Sequence, residues 1–247
     1  MAPAKVFTYE LRTTSLYNAD FVSTALRVQL VRCVDAAAAA FESLMPVDVI
    51  GLGVNKQRYG LLLNDEGGIL DDLMFVNRTD SHGDLFLVVN GACKAADVAH
   101  IQAGIGQRCQ VLPLPDLALL ALQGPMAVTA LARLLPGVTS LVFMTGAAFE
   151  WEGVPLFITR SGYTGEDGYE FFSSASNGPA WMKAFVAAGA KPCGLGARDS
   201  LRLEMGYPLN GSDLSEDLTP LEAGLGFFVD LEKGDFMGRD LLATQKA

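Results

Sequence analysis

Histidine is almost missing from this chain, with His82 and His100 its two copies among 247 residues. That scarcity argues against a multi-histidine metal site. Cysteine is sparse as well. Cys33, Cys93, Cys109 and Cys193 form no C-x-x-C pair, so they read as reduced thiols in a cytosol-like compartment, most of them core fillers. No apolar run approaches the roughly 18 residues of a membrane span. Met1 to Thr14 has no apolar stretch of the secretory type. Cations are outnumbered, 18 Lys plus Arg against 28 Asp plus Glu, for a net charge of −10. This argues against a basic nucleic-acid surface and against adsorption to an anionic membrane. It still permits a small anionic ligand held by a few placed arginines. No Walker A stretch and no G-x-S-x-G occurs, which leaves P-loop nucleotide hydrolysis and α/β-hydrolase chemistry without support. The chemistry left is that of carboxylates, arginines, tyrosines and a bound cofactor.

What is present is a folding chain. Half of it is hydrophobic, enough for a sizeable core. Val34 to Leu44 predicts a helix from its alanines, with Asp35 in the first turn. Gln57 to Leu63 and Ile69 to Asn77 read as strands of a hairpin joined by Asn64-Asp65-Glu66-Gly67-Gly68. Leu85 to Asn90 is a short strand, and Lys94 to Ile105 has Ala95, Val98, Ile101 and Ile105 at helical spacing. Val111 to Leu122 is broken by Pro113 and Pro115, and Gly124-Pro125 opens a helix through Leu135. Phe149 to Arg160 reads as a second hairpin turning at Glu152-Gly153. Tyr169 to Ser173 is a strand, Pro179 to Ala188 and Ala197 to Met205 are helices ended near glycine, and Leu225 to Leu231 is a last strand. This rhythm is not β-α-β. It predicts an α+β chain of two related halves, dividing between Leu122 and Val142.

Three polar features stand out. Asp71-Asp72 lies inside the apolar run Ile69 to Val76. Neighbouring strand residues point to opposite faces, so only one aspartate can enter a given pocket. Both faces are apolar, and periodicity leaves the choice open. An ionised carboxylate on such a face is costly unless it is paired, and such groups often carry function. The plain alternative is a strand-end pair that caps a turn or meets a lysine. Arg160 to Glu170 (RSGYTGEDGYE) is the densest polar cluster; its plain alternative is an ordinary turn, since glycine and aspartate favour turns for backbone reasons. Gly194-Leu195-Gly196-Ala197-Arg198-Asp199 mimics the start of a dinucleotide loop but opens no clean β-α-β unit. Arg198 near a helix start runs against the helix dipole; its plain alternative is a pairing with Asp199 or Glu204. His82 reads as a loop residue and His100 as a helix residue at the edge of the core.

These segments line up with a known family. NDEGGILDDL (64–73), LFLVVNGAC (85–93), LLALQGP (119–125), RSGYTGEDGYE (160–170) and CGLGARDSLRLEMGYPLNGSDLSEDLTPLEAG (193–224) resemble the aminomethyltransferase, or T-protein, of the glycine cleavage system. They follow family order and spacing, and the likeness covers residues 35 to 247. The resemblance implies two mixed α/β lobes of the folate-binding fold at 34–130 and 131–247, after an atypical segment at 1–33. It also implies a further C-terminal β-rich domain of about 100 residues, absent from this sequence. The implied reaction moves a one-carbon unit from the aminomethyl-lipoyl arm of the H-protein to tetrahydrofolate, the co-substrate, and releases ammonia. The second aspartate, Asp72, falls on the family's catalytic carboxylate. Glu170 and Arg198 fall on folate contacts, and Tyr59, Asn90 and Tyr163 on positions lining the folate site. No metal, membrane or nucleic acid is implied, and the location is the bacterial cytoplasm or the mitochondrial matrix. Two alternatives stay open: a folate-dependent demethylase of the same superfamily, and a non-catalytic folate-binding protein.

Overall fold

The computed structural model describes residues 5–8, 27–32, 37–79 and 83–247. In chain order the elements are β1 (Lys5–Thr8), β2 (Arg27–Arg32), α1 (Ala37–Glu42), β3 (Gln57–Leu63), β4 (Ile69–Asn77), β5 (Asp84–Val88), α2 (Lys94–Ile105), β6 (Cys109–Leu114) and β7 (Leu117–Gln123). Then come α3 (Ala127–Ala132), β8 (Gly146–Trp151), β9 (Val154–Thr159), β10 (Gly168–Ser174), α4 (Gly178–Ala187), β11 (Lys191–Cys193), α5 (Leu195–Glu204) and α6 (Arg239–Lys246). The α+β reading stands. His82, Cys33 and the first turn expected at Val34 lie outside the described residues.

The chain divides into two compact units. One takes β1 and Pro115–Tyr207; the other takes β2 to β6, α1, α2 and Pro208–Ala247. Both are discontinuous in sequence, whereas the family resemblance implies contiguous lobes at 34–130 and 131–247. The reason is strand pairing over long separations. In the first unit the sheet order is β11-β1-β7-β10-β9-β8, and β1 lies antiparallel to β7 and parallel to β11. In the second unit the order is β3-β4-β5-β2-β6, with β2 antiparallel to both β5 and β6. Both β1 and β2 come from the segment 1–33, whose residues show no clear pattern of their own.

Each unit has its own core. In the first unit Trp181 and Phe185 of α4 pack on Phe171 of β10, with ring centroids 5.4 and 4.8 Å apart. In the second unit Phe41 of α1 meets Phe75 of β4 edge to face at 5.8 Å. A second cluster there gathers Leu61, Leu63 and Ile69 of the β3–β4 hairpin with Leu214, Leu225, Val229, Phe236 and Leu242. Thus residues more than a hundred positions downstream cover the hairpin. The turn of the hairpin is built for this. The Asn64 side chain accepts from Gly68 N at 2.8 Å and donates to the Glu216 carbonyl at 3.0 Å. Gly68 lies so close to that carbonyl that a Cβ there would stand 1.8 Å from it.

The strand expected over Leu225 to Leu231 is absent. Gly226–Phe228 forms one turn of 3-10 helix instead. Leu225 and Val229 enter the core four residues apart, a helical spacing, and the Phe228 amide donates to the Leu225 carbonyl at 2.9 Å. Burial toward the hairpin outweighs the strand propensity of Phe227, Phe228 and Val229.

Because Leu242 of α6 is fully buried in this cluster, Leu242→Ala removes core volume from the second unit. The expected loss is about 2–5 kcal/mol in urea unfolding, as for other buried leucines. A loss typical of a surface site, below about 0.5 kcal/mol, would contradict the packing.

Candidate functional site

Strand β4 alternates. Ile69, Asp71, Leu73 and Phe75 are buried, while Leu70, Asp72 and Met74 are partly exposed. The question that periodicity leaves open therefore has a physical answer. Asp71 stands on the core face and Asp72 on the accessible face. Tyr59 pairs with Met74 across β3–β4, so it shares the face of Asp72 one diagonal step away. Its hydroxyl donates to Asp72 Oδ2 at 3.0 Å. Asn90, just beyond β5, donates its side-chain amide to Asp72 Oδ1 at 2.7 Å and to Asp71 Oδ1 at 2.9 Å. The Asn90 backbone N–H donates to Asp71 Oδ2 at 3.1 Å. Three residues singled out from sequence, Tyr59, Asp72 and Asn90, thus meet within the second unit.

Burial pushes the Asp72 carboxyl up, and the neighbouring Asp71 charge pushes it further, while Tyr59 and Asn90 oppose both by hydrogen bonding to the carboxylate. The net value is about 6. The sign for stability follows. The folded state holds this proton more tightly than the unfolded chain, whose value is the ordinary 3.8. Stability tied to Asp72 is fully present below 3.8 and is lost as pH rises through about 6.

Behind Asp72 lies a second layer of polar groups around Asp71. Asn210 donates to Asp71 Oδ1 at 2.8 Å, to the Leu70 carbonyl at 3.1 Å and to Cys93 Sγ at 3.2 Å. Asp97, in the first turn of α2, is buried and hydrogen-bonded to Asp71. Burial and the Asp71 charge raise its pKa. Burial likewise pushes the Cys93 thiol up to about 11, with Asp71 and Asp97 adding to the shift. Asp97 does have a legible signal: it shares one helical stripe with Ile101 and Ile105, both buried. Asn210 has none, because its partners lie about 140 residues upstream.

The first unit carries the remaining candidates. Glu170 sits on β10 between Ala121 and Thr159. Ser161 Oγ donates to Glu170 Oε2 at 3.0 Å and stands 2.9 Å from Thr159 Oγ1. Since the serine proton goes to Glu170, the threonine hydroxyl donates to the serine. Arg198 on α5 stacks its guanidinium 4.3 Å from the Tyr163 ring centre, and Tyr163 stacks on Tyr207 at 5.6 Å and 25°. Tyr207 joins this stack without any signal in the local sequence. Asp199 is paired to Arg202 at 2.7 Å.

The polar loop is a built structure. Arg160 forks onto Asp167 at 2.8 and 2.9 Å and donates to the Leu141 carbonyl at 2.7 Å. Buried Gln123 donates to the Ser161 and Tyr169 carbonyls and accepts from Thr164. Glycine is required at 162 because a Cβ there would fall 1.9 Å from Gln123 Oε1. His100 lies on α2, where burial lowers its pKa. Among the described residues no group of His, Cys, Asp and Glu could hold a metal ion. No described helix is long and apolar enough to cross a membrane.

The Tyr59 hydroxyl favours the ionised form of Asp72, so Tyr59→Phe removes that support. The Asp72 midpoint, followed by carboxyl 13C NMR, is expected to climb above about 6. A midpoint that stays or falls would show that the hydroxyl does not act on it.

Residues 29–233 match the model of the GCVT N-terminal domain. An aminomethyltransferase of Picosynechococcus sp. is 40% identical over 220 residues, which is 85% of this chain and 58% of that protein. One from Neisseria meningitidis serogroup A is 41% identical over 219 residues, 85% of this chain and 59% of that protein. The crystal structure of glycine cleavage system aminomethyltransferase T from Bartonella henselae matches with a TM-score of 0.83 at 35% identity, covering 99% of this chain and 64% of that one. The chain thus spans less than two thirds of the length of these relatives. Its sequence and fold place it plainly in one family: it belongs to the GCVT N-terminal domain family.

Proposed function

We propose that this chain carries the one-carbon transfer of glycine cleavage. An aminomethyl group on the lipoyl arm of the H-protein gives its carbon to tetrahydrofolate. Ammonia leaves, and 5,10-methylenetetrahydrofolate and dihydrolipoyl H-protein are formed. The observation that carries this reading is Asp72, a carboxylate gripped by Tyr59 and Asn90 with its pKa at about 6. The names of its curated relatives from Picosynechococcus, Neisseria meningitidis and Synechocystis, each an aminomethyltransferase, support it. In this reading the protein works in the bacterial cytoplasm or, like the relative from Dictyostelium discoideum named as mitochondrial, in the mitochondrial matrix.

The chemistry needs such a group. Loss of ammonia from an aminomethyl carbon builds iminium character, a positive charge. A fixed anion in a site poor in water stabilises that charge as it develops. A carboxylate that titrates near neutrality also exchanges protons efficiently with the amine of the acceptor. Asp72 is ionised above about pH 6 and reprotonates without a large penalty. Tyr59 and Asn90 fix both of its oxygens, so the charge does not have to be oriented during the reaction.

Glu170 and Arg198 serve tetrahydrofolate in this reading. A pterin presents adjacent N–H donors that one carboxylate accepts together. Ser161 and Thr159 hold the Glu170 side chain in one rotamer for that purpose. Arg198, flattened on Tyr163 and Tyr207, offers a rigid guanidinium fork and a stacking surface.

Two substitutions test the division of labour. Asp72→Asn is expected to abolish ammonia release and methylenetetrahydrofolate formation from aminomethylated H-protein while leaving folate affinity nearly intact. Equal turnover by both forms would overturn the catalytic role. Glu170→Ala is expected to weaken folate binding about tenfold or more, the loss of a charge-assisted hydrogen bond. Unchanged affinity in calorimetry would overturn the pterin-anchor role.

A further inference from the structure

The buried layer behind Asp72 holds two carboxyl groups and, among the described residues, no cation paired to either. Asp71 is fully buried and Asp97 nearly so, and the two are hydrogen-bonded to each other. Two oxygens in such contact need a proton between them, since two buried ionised carboxylates repel. Their surroundings say which group keeps it. Asp71 accepts three N–H donors: the Asn90 backbone and the side chains of Asn90 and Asn210. Asp97 Oδ2 is buried with no hydrogen-bond partner. Donated N–H bonds stabilise the ionised form, so the charge belongs to Asp71 and the proton to Asp97. The first turn of α2 favours an anion at Asp97, but that is one weak effect against three direct donors.

We propose that Asp71 and Asp97 form one acid–carboxylate pair, and that the pair is a positioning device in which Asp97 steadies Asp71, Asp71 holds Asn90, and Asn90 fixes Asp72. The same Asn90 amide that touches Asp71 touches Asp72 Oδ1 and the Asp72 carbonyl. Any slack in Asp71 is therefore passed to Asp72. The pair also keeps one negative charge beside Asp72. The other titratable groups facing this cluster are Tyr59 from β3 and Cys93 at the start of α2, whose thiol is neutral at physiological pH. Asn90 and Asn210 carry no charge. The catalytic consequence rests on the aminomethyl-transfer reading; the pairing itself does not.

The test uses the full chain with 13C-carboxyl aspartate and follows each carboxyl through a pH titration by NMR. In the unaltered protein one carboxyl of the pair is expected to stay in the acid form at neutral pH and to be assigned to Asp97. In Asp71→Asn the neighbouring charge is gone, so the Asp72 midpoint is expected to fall by about one unit, a tenfold change in its acid constant. In Asp97→Asn the amide replaces the acid proton as donor, Asp71 keeps its charge, and the Asp72 midpoint stays in place. The reverse asymmetry, or two fully ionised groups at neutral pH, would overturn the assignment. For the positioning role, Asp97→Ala is expected to lower the rate of one-carbon transfer about tenfold with folate affinity unchanged, and Asp97→Asn to restore it. Equal loss in both variants would overturn the positioning role. If the unaltered protein transfers no one-carbon unit, the functional reading fails while the NMR asymmetry still decides the pairing.

Discussion

A single amide joins the two adjacent aspartates of β4. Asn90 Nδ2 reaches Asp71 on the core face and Asp72 on the accessible face at once. Adjacent residues of a strand normally have nothing to do with each other, because they point apart. Here the loop after β5 wraps the edge of that division and couples them. The coupling makes a buried charge felt at the surface of the site. It also explains why the run Ile69–Val76, otherwise made of Ile, Leu, Met, Phe and Val, tolerates two carboxylates. One is solvated by three N–H groups, and the other is gripped by a phenol and an amide. The buried pair costs stability in isolation; its retention is understandable if Asp72 needs a rigid, electronegative backing.

The first unit solves a different problem with the same means. Its polar loop is fixed from within by the Arg160–Asp167 fork and by Gln123. That rigidity leaves Glu170, Tyr163 and Arg198 on ordered supports. Short hydroxyl relays and aromatic stacking orient them, which in the proposed reading leaves little further ordering for folate binding. In both units the candidate site residues are held by hydrogen bonds or ring contacts from neighbouring side chains.

Much of this architecture is legible in the amino-acid sequence. The β3–β4 hairpin and α2 have the bounds that turn residues and helical spacing predict, since both are local and strongly patterned. Other elements are out of reach for a physical reason. β1, β2 and β11 exist because of pairing with distant strands, and their own residues carry little pattern. The 3-10 turn at Gly226 replaces an expected strand because the hairpin core, far away in sequence, claims Leu225 and Val229. At the site, periodicity cannot choose between Asp71 and Asp72, because both faces of β4 are apolar. The family resemblance chooses Asp72; the structure shows Asp71 buried and Asp72 partly exposed. Asp97 announces itself by a helical stripe; Asn210, Ser161 and Tyr207 act through contacts that no local pattern encodes.

A carboxylate whose proton is poised near neutrality by buried neighbours stands at the centre of the proposed chemistry. The most direct test is the pH dependence of kcat/KM for one-carbon transfer to tetrahydrofolate, measured from about pH 5 to 8. The expected profile rises with pH along an acid limb whose midpoint is about 6, as Asp72 ionises. A profile flat over that range, or a limb at the ordinary 3.8 of an unperturbed aspartate, would contradict it.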